Sequence, residues 1–199
     1  MDTTARRGTL FVVSAPSGAG KHTILERVLA RDKRLGYSVS ATTRSPRRGE
    51  VDGTHYHFMD RASFERRVAE GDFVEWAEVH GNLYGTLRSE LERLVGSGKD
   101  IVLELDVQGM RNVKRAGLDA VTVFIMAPTV EDLERRLKAR ATDPPEEISL
   151  RLANAKEELA ARGEYDHVIV NADIDQATAE FEEIVRSARE RAARTGKQE

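Results

Sequence analysis

The sequence predicts an α/β protein in which a parallel sheet is flanked by helices, and two observations lead to that prediction. Short apolar runs alternate along the chain with segments whose apolar residues recur at helical spacing. A glycine-rich turn follows the first apolar run, where a buried strand would pass into a helix. Alternation of this kind is typical of parallel sheets, whose strands are covered on both faces.

Each element follows from a local pattern. The first strand is predicted over residues 10–13, L-F-V-V, and a helical pattern opens after it at Ile24 and Leu25. The other runs that are apolar enough for strands, the last of them weaker, lie at residues 102–105, 121–125 and 167–170. The remaining segments with helical spacing are residues 87–95, 107–116, 130–139, 148–161 and 176–193.

Two regions break the alternation. Residues 38–84 are rich in turns and aromatic residues, and we expect a small inserted α+β unit there. Residues 135–162 are heavily charged and are interrupted by Asp143, Pro144 and Pro145, which predicts two helices joined by a turn. The arginines of this second region have two interpretations, a solvated helix face or a lid that brings guanidinium groups onto phosphates.

The composition limits the classes of protein that fit. A chain of 199 residues is long enough for one domain with a substantial core. The 31 basic and 34 acidic side chains give a net charge of −3, which argues against general nucleic-acid binding. No cysteine is present, so disulfides and thiolate metal sites are excluded. Because neither a signal-peptide pattern nor an apolar stretch of membrane-spanning length is found, we expect a cytoplasmic protein.

The segment over residues 9–25, T-L-F-V-V-S-A-P-S-G-A-G-K-H-T-I-L, has the layout of a phosphate-binding loop. Gly18 and Gly20 allow backbone conformations and close approaches that a Cβ would block. Backbone N–H groups can then surround an anionic oxygen, the N-terminus of the following helix adds positive potential, and Lys21 supplies a point charge. The layout predicts binding of a nucleoside triphosphate.

The strict pattern of such loops is not met at either end. Ala15 occupies the position of the first glycine, and His22 occupies the position of the hydroxyl residue after the lysine. A glycine-rich turn with a solvated lysine therefore stays open as the alternative for this segment.

A second group of residues predicts an anion site within the insert. Ser40, Arg44, Arg47 and Tyr56 lie within a short, turn-rich span. Two guanidinium groups suit a phosphate monoester, because each donates a planar pair of hydrogen bonds, and the two hydroxyls can donate to the same anion. An exposed basic turn is the alternative.

A third group centres on Glu75. The segment F-V-E-W-A alternates as a strand does, so Glu75 should share a face with Phe73 and Ala77. A carboxylate on a half-buried strand face needs a partner. That partner is either an arginine of this chain or a ligand with two adjacent N–H donors.

Together these motifs resemble those of guanylate kinases, bacterial nucleoside-monophosphate kinases that convert GMP and ATP to GDP and ADP. The resemblance runs from about residue 9 to about residue 181. It is carried by S-A-P-S-G-A-G-K, S-V-S-A-T-T-R-S-P-R-x-G-E-V-D-G-x-x-Y-x-F, E-W-A-E-V-H-G-N-L-Y-G-T, L-E-L-D-V-Q-G and V-I-V-N-A-D.

The resemblance implies a P-loop nucleoside-monophosphate kinase fold made of one domain over residues 1–199. It implies a core with a parallel sheet, formed by residues 1–36, 90–127 and 164–199. A GMP-binding α+β insert would span residues 37–89, and a helical lid would span residues 128–163.

The resemblance also assigns roles to residues. The expected ATP-binding residues are Ala15, Pro16, Ser17, Gly18, Ala19, Gly20, Lys21, His22, Thr23, Asn171 and Asp173. The expected GMP-binding residues are Ser40, Arg44, Arg47, Tyr56, Glu75, Tyr84, Thr86 and Asp106. The expected catalytic residues, which neutralise the transferring phosphoryl group, are Lys21, Arg44, Arg136, Arg140 and Arg151.

The chemistry of Glu75 fits this assignment. An ionised carboxylate only accepts hydrogen bonds. Guanine offers N1–H and N2–H₂ on one edge, whereas adenine offers an unprotonated N1 and a bare C2. The carboxylate should therefore select GMP and reject AMP.

The metal is the weakest match to the family pattern. Mg²⁺ is expected to arrive with ATP, but imidazole is a poor ligand for this hard cation, and we expect that His22 does not bind it directly. Thr23 has a hydroxyl, but its side chain points about 100° around the helix axis from the His22 position, so it does not replace the missing ligand. Asp106, at the end of a predicted strand, is the best remaining carboxylate and would act through water.

Two other classes of function stay open. Guanylate-kinase-like modules of scaffolding proteins bind phosphorylated peptides and transfer nothing, and a related kinase could use a different phosphorylated acceptor. The expected partners are ATP and GMP, within purine nucleotide metabolism as GMP recycling, without nucleic acid or membrane. The sequence leaves acceptance of dGMP and the oligomeric state open.

Overall fold

A computed structural model describes residues 8–47, 49–79, 81–139 and 145–195. The predicted catalytic residue Arg140 and the predicted turn residues Asp143 and Pro144 lie outside these ranges.

The described residues contain nine strands. They are β1 (Leu10–Ser14), β2 (Leu35–Tyr37), β3 (Ala41–Thr42), β4 (His57–Phe58), β5 (Phe73–Val79), β6 (Asn82–Leu87), β7 (Asp100–Glu104), β8 (Ala120–Met126) and β9 (His167–Val170).

Seven α-helices and one short 3₁₀ helix accompany the strands in the same residues. They are α1 (Lys21–Arg31), α2 (Arg61–Glu70), α3 (Arg88–Gly96), α4 (Val107–Arg115), α5 (Val130–Ala139), α6 (Pro145–Ala160), the 3₁₀ helix Ala161–Glu164 and α7 (Ile174–Thr195). None of the helices in the described part of the chain is long and apolar enough to cross a membrane.

The strands form two sheets. The larger has the order β2-β7-β1-β8-β9, with β2–β7 and β8–β9 paired in parallel. The smaller has the order β4-β3-β6-β5, in which β6 runs antiparallel to β3 and β5. A parallel sheet whose strands alternate with helices confirms the predicted α/β class.

The chain divides into two compact units. The first comprises Met1–Val12 and Arg34–Ala120 and includes the whole of the smaller sheet. Inside that sheet, Phe64 of α2 stacks on Phe73 of β5 with ring centroids 4.3 Å apart. Because Phe64 is fully buried, α2 is fixed to the sheet through this contact.

The second unit comprises Val13–Lys33 and Val121–Glu199. The middle of β8 is completely buried, as expected for a strand of a parallel sheet covered on both faces. Helices α1 and α7 pack together and are joined by ion pairs of Arg27 with Asp175 and of Arg31 with Glu182. These contacts hold the second half of α1 against α7.

Candidate functional site

The predicted phosphate-binding loop lies in the second unit, between the end of β1 and the start of α1. Gly18 and Gly20 have φ values of 90° and 93°, in the left-handed region that favours glycine. A Cβ on Gly20 would lie 2.3 Å from the side-chain nitrogen of Asn171, and a Cβ on Gly18 would lie 3.1 Å from a methyl carbon of Leu137. The backbone conformation therefore favours glycine at both positions, and at Gly20 a Cβ would also collide with Asn171.

Asn171 and Arg136 support this loop through its backbone. The buried Asn171 side-chain amide donates to the Ala19 carbonyl over 2.8 Å. The Arg136 guanidinium donates to the carbonyls of Asn171, over 2.8 Å, and of Ala19, over 3.5 Å. The sequence suggested contacts with the nucleotide for both residues. In this structure Asn171 contacts the loop, and Arg136 contacts both the loop and Asn171.

The predicted catalytic residue Arg151 and the predicted ATP-binding residue Asp173 have separate partners. Arg151 of α6 donates to the Ser17 hydroxyl over 3.3 Å. Asp173 accepts the backbone N–H groups of Asp175 and Gln176, both over 2.9 Å, and so caps the start of α7.

The first turn of α1 is arranged to receive an anion. Its N-cap is Gly20, and no side chain caps the helix there. N–H groups of a first helical turn have no partner within the helix, and together with the helix dipole they favour a phosphate at this end. Lys21 is the first residue of the helix, while His22 and Thr23 follow it with exposed side chains.

The predicted site for a phosphate monoester lies in the first unit and centres on Arg44. The Arg44 guanidinium lies 5.4 Å above the ring centroid of Tyr56, and the Tyr56 and Tyr84 rings meet edge to face at 6.0 Å. Burial raises the pKa of Tyr56 to about 12, so its hydroxyl stays a donor at neutral pH.

Glu50 belongs to this cluster, although sequence reasoning missed it. One of its oxygens accepts from Arg44 over 2.8 Å, and the other accepts from the Arg47 backbone N–H over 2.6 Å. Arg44 lowers the pKa of Glu50 through this hydrogen bond, so an anion already faces the guanidinium. The glutamate six residues after Arg44 was the available signal.

Two predicted members of the phosphate cluster take part through the backbone. The Ser40 carbonyl accepts the His57 N–H over 2.9 Å, which joins β4 to the segment before β3. The Arg47 side chain is exposed at the turn where its N–H meets Glu50.

The third group forms a buried acidic pocket, also in the first unit. Glu75 is 5% exposed and shares its face of β5 with Ala77, as predicted. The prediction that Phe73 lies on the same face is wrong, because a bulge between Phe73 and Glu75 turns Phe73 to the opposite face, toward Phe64. Its partner among the described residues is Thr86, whose hydroxyl donates over 2.8 Å, and no arginine there forms an ion pair with it.

Asp106 and Gly109 complete this pocket. Asp106 accepts the Gly109 N–H over 2.7 Å and so caps α4. A Cβ on Gly109 would lie 3.2 Å from both Asp106 Oδ1 and Glu75 Oε2, so the two carboxylates share the space that this glycine leaves. Sequence reasoning did not single out Gly109.

The environment of Glu75 shifts its protonation. Burial raises the pKa of Glu75 from 4.5 to about 7; hydrogen bonds from Thr86 oppose the rise, and the Asp106 carboxylate adds to it. A ligand that donates hydrogen bonds would favour the ionised form of Glu75, because hydrogen bonds to a charged carboxylate are stronger than those to a neutral carboxyl group.

The residues beside Lys21 do not fit direct coordination of Mg²⁺. The position of the usual hydroxyl ligand carries the His22 imidazole, a nitrogen donor, whereas Mg²⁺ prefers oxygen. Among the described residues, no group of three or more His, Cys, Asp or Glu side chains could hold a metal ion. Asp106 is already engaged as the cap of α4.

Comparisons with known proteins agree on one family. The guanylate kinase family profile matches residues 7–188. A guanylate kinase of Rubrobacter xylanophilus is 50% identical over 181 residues, covering 91% of this chain and 95% of that protein. A guanylate kinase of Sphingopyxis alaskensis is 48% identical over 185 residues, covering 92% of this chain and 84% of that protein.

A solved structure shares the fold as well. The crystal structure of guanylate kinase from Anaplasma phagocytophilum superposes with a TM-score of 0.75 at 34% identity, covering 92% of this chain and 87% of that one. The phosphate-binding loop, the basic cluster and the acidic pocket thus occur in a chain that belongs to the guanylate kinase family.

Proposed function

We propose that this chain transfers the γ-phosphoryl group of ATP to GMP, giving ADP and GDP. The observation that carries the proposal is the buried Glu75 carboxylate, which faces the space beside Gly109 and, when ionised, accepts hydrogen bonds only. The reaction would take place in the cytoplasm and recycle GMP within purine nucleotide metabolism.

Glu75 would select the acceptor base. Its Oε1 is already bonded to Thr86, while Oε2 is the oxygen nearest the space beside Gly109. The N1–H and N2–H₂ groups of guanine would donate to this carboxylate, and Asp106 would support the same edge. Adenine would turn an acceptor toward it, leaving a buried carboxylate unpaired.

Arg44, Tyr56 and Tyr84 would hold the GMP phosphate. Arg44 is preordered by Glu50 and by the face of the Tyr56 ring, so little side-chain freedom is lost when the phosphate binds. The phosphate would share or replace the Glu50 contact, and Ser40 and Arg47 would supply further donors. Two hydroxyls and a guanidinium match the acceptor oxygens of a phosphate monoester.

The loop over residues 15–20 and the first turn of α1 would hold the ATP phosphates. Backbone N–H groups and Lys21 would neutralise charge on the β and γ phosphates. Arg151, which reaches the loop at Ser17, would add positive charge to the transferred group, together with Arg136 and Arg140.

The chemistry needs positioning and charge more than proton transfer. An oxygen of the GMP phosphate forms the new bond to the γ-phosphorus as the bond to the β-phosphate oxygen breaks. The nucleophile is already anionic, so no general base is required. The predicted lid, which carries these arginines, would exclude water that competes for the γ-phosphoryl group. The Mg²⁺ expected with ATP would be held by nucleotide oxygens and water.

A coupled assay of ADP production tests the proposal. It uses ATP and Mg²⁺ with GMP, AMP, dTMP or no acceptor in parallel. We expect turnover with GMP, traces with AMP and dTMP, and none without acceptor. Turnover with another acceptor alone would assign a different kinase. No turnover with any acceptor, combined with binding of a phosphorylated peptide, would assign a binding module.

A further inference from the structure

His22 and Glu26 form a pair of metal-ligand side chains directly after the phosphate-binding loop. His22 Nε2 lies 3.3 Å from Glu26 Oε1, one turn apart on α1. Their side chains are 75% and 65% exposed, so solvent and a bound ion have access to both. Lys21, which precedes His22, is the first residue of α1 and the proposed partner of the nucleotide phosphates.

The spacing of the two donor atoms suits a shared ion. Two ligand atoms bound to one metal at about 2.1 Å, at angles between 90° and 110°, lie roughly 3.0–3.4 Å apart. The observed 3.3 Å lies within that range, so neither side chain needs a large movement. The pair offers one imidazole nitrogen and one carboxylate oxygen.

This donor set favours a transition metal over Mg²⁺. Imidazole binds first-row transition metals well and binds Mg²⁺ poorly, while carboxylates accept both. In the described residues no third His, Cys, Asp or Glu side chain completes a site with this pair. Two protein ligands alone hold an ion weakly, so further oxygens must come from the nucleotide and from water.

We propose that His22 and Glu26 form a two-ligand site for a divalent first-row transition metal such as Mn²⁺, occupied together with the phosphates of the bound adenine nucleotide. The site rests on the proposed binding of ATP at the adjacent loop. With Mg²⁺ the nucleotide oxygens and water remain the only ligands. With Mn²⁺ the protein adds two ligands, so this chain prefers the Mn²⁺ form of its nucleotide.

Electron paramagnetic resonance tests the site directly. Mn²⁺ is titrated into the protein with saturating ADP, its free signal gives the dissociation constant, and electron spin echo modulation reports nitrogen ligation. We expect ¹⁴N modulation in the parent protein and none in His22→Ser. Mn²⁺ binding should weaken about 10–100-fold in His22→Ser and about tenfold in Glu26→Gln.

Glu65→Gln is the matched control. Glu65 is likewise exposed and forms an i,i+4 pair, with Arg61 on α2 of the first unit, so its removal should leave Mn²⁺ binding unchanged. Absence of ¹⁴N modulation in the parent protein, or equal Mn²⁺ affinity in the parent and in both α1 variants, would overturn the proposal. The pair would then be a solvated salt bridge only.

A kinetic comparison separates this proposal from the proposed function. The concentrations of Mg²⁺ and of Mn²⁺ needed for half-maximal GMP-dependent ADP formation are measured in the parent and in His22→Ser. We expect the serine to lower the Mg²⁺ requirement and raise the Mn²⁺ requirement. Normal turnover with unchanged Mg²⁺ and Mn²⁺ requirements would overturn the metal site alone. ADP binding without GMP-dependent turnover would overturn the proposed function, and the spectroscopic result would then decide the metal site.

Discussion

At the scale of single residues, the proposed specificity for guanine rests on the pocket around Glu75. The carboxylate is buried, bonded to the Thr86 hydroxyl and close to Asp106 through the space beside Gly109. A buried acceptor without a donor costs free energy. The pocket should therefore bind tightly only a base that supplies N–H groups.

Glu75→Gln should lower kcat/KM for GMP by about 100-fold. The amide removes the charge that strengthens both hydrogen bonds and turns a donor toward the donors of guanine. The control is Glu78→Gln, on the same strand but with an exposed side chain that pairs with Arg61. Steady-state kinetics give kcat/KM for GMP in both variants. Equal losses of kcat/KM in the two would show that Glu75 does not recognise the base.

The same carboxylate should make GMP binding depend on pH. Its pKa is raised to about 7 in the free protein, so it is protonated, and cannot accept both N–H groups, as the pH falls below 7. Between pH 8 and pH 6 the Glu75 contribution to GMP affinity should fall about tenfold. The GMP phosphate titrates near pH 6 as well.

Comparison with Glu75→Gln separates these two titrations, because that variant retains only the phosphate. GMP affinity measured by calorimetry across this range should show a steeper loss in the parent than in the variant. Parallel profiles would mean that Glu75 is ionised throughout.

Residue-level prediction from the sequence succeeded where local alternation decides the environment, as for Glu75 and Ala77 on β5. It failed for Phe73, because a bulge that the sequence pattern does not reveal turns this residue to the other face. It missed contacts that the fold creates. Glu50 pairs with Arg44 across a turn, and Asn171 reaches a loop carbonyl 152 positions away in the chain. The first partnership had a signal in the glutamate six residues after Arg44, whereas the second has none in local spacing.

At the scale of elements, β5 and β6 are packed so closely that one glycine is indispensable. A Cβ on Gly85 would lie 2.7 Å from the Phe73 ring and 2.9 Å from the Glu75 carbonyl. Gly85→Ala should therefore reduce the free energy of unfolding by about 1–3 kcal/mol and weaken GMP binding.

The matched control is Gly96→Ala at the end of α3, where no atom lies within 4 Å of the added Cβ. Its effect should stay within about 0.5 kcal/mol. Urea denaturation measures both variants, and a stability of Gly85→Ala equal to that of the parent would contradict the packing described for this hairpin.

The connection between β9 and the phosphate-binding loop is a second element-level feature. Asn171→Ala removes the buried amide that donates to Ala19, so it should cost about 1–3 kcal/mol of stability and raise the KM for ATP. Asn112→Ala is the control, since that amide donates to the Trp76 carbonyl at an exposed position. An unchanged KM for ATP in Asn171→Ala would show that the loop holds its shape without this support.

The helices and strands of the larger sheet follow the predicted order, and the segments predicted over residues 130–139 and 167–170 match α5 and β9. The insert was predicted only in outline. Helix α2 of the insert presents one buried residue, Phe64, so it has no clear periodic pattern. Strand β2 of the larger sheet was not predicted either, because it is short and has a glycine at its centre. Strand β6 follows a turn at Gly81 and becomes evident through its pairing with β5.

At the scale of the whole molecule, the chain belongs to the guanylate kinase family. This membership supports one proposed reaction for the glycine-rich loop before α1, the basic cluster at Arg44 and the acidic pocket at Glu75. The family resemblance was visible in the sequence because its motifs are long and specific. The division into a core, an insert over residues 37–89 and a lid over residues 128–163 stays a prediction. The two compact units have other boundaries, near Val12, Lys33 and Ala120, because long-range contacts define them.

The ratio of kcat/KM for GMP to kcat/KM for AMP, measured in the parent protein with ATP as donor, tests the central claim most directly. A site built to accept hydrogen bonds from guanine should reject adenine by roughly 10⁴-fold or more. A ratio of that size is the predicted result. A ratio near one would contradict the claim that the buried Glu75 carboxylate makes this chain a kinase of GMP.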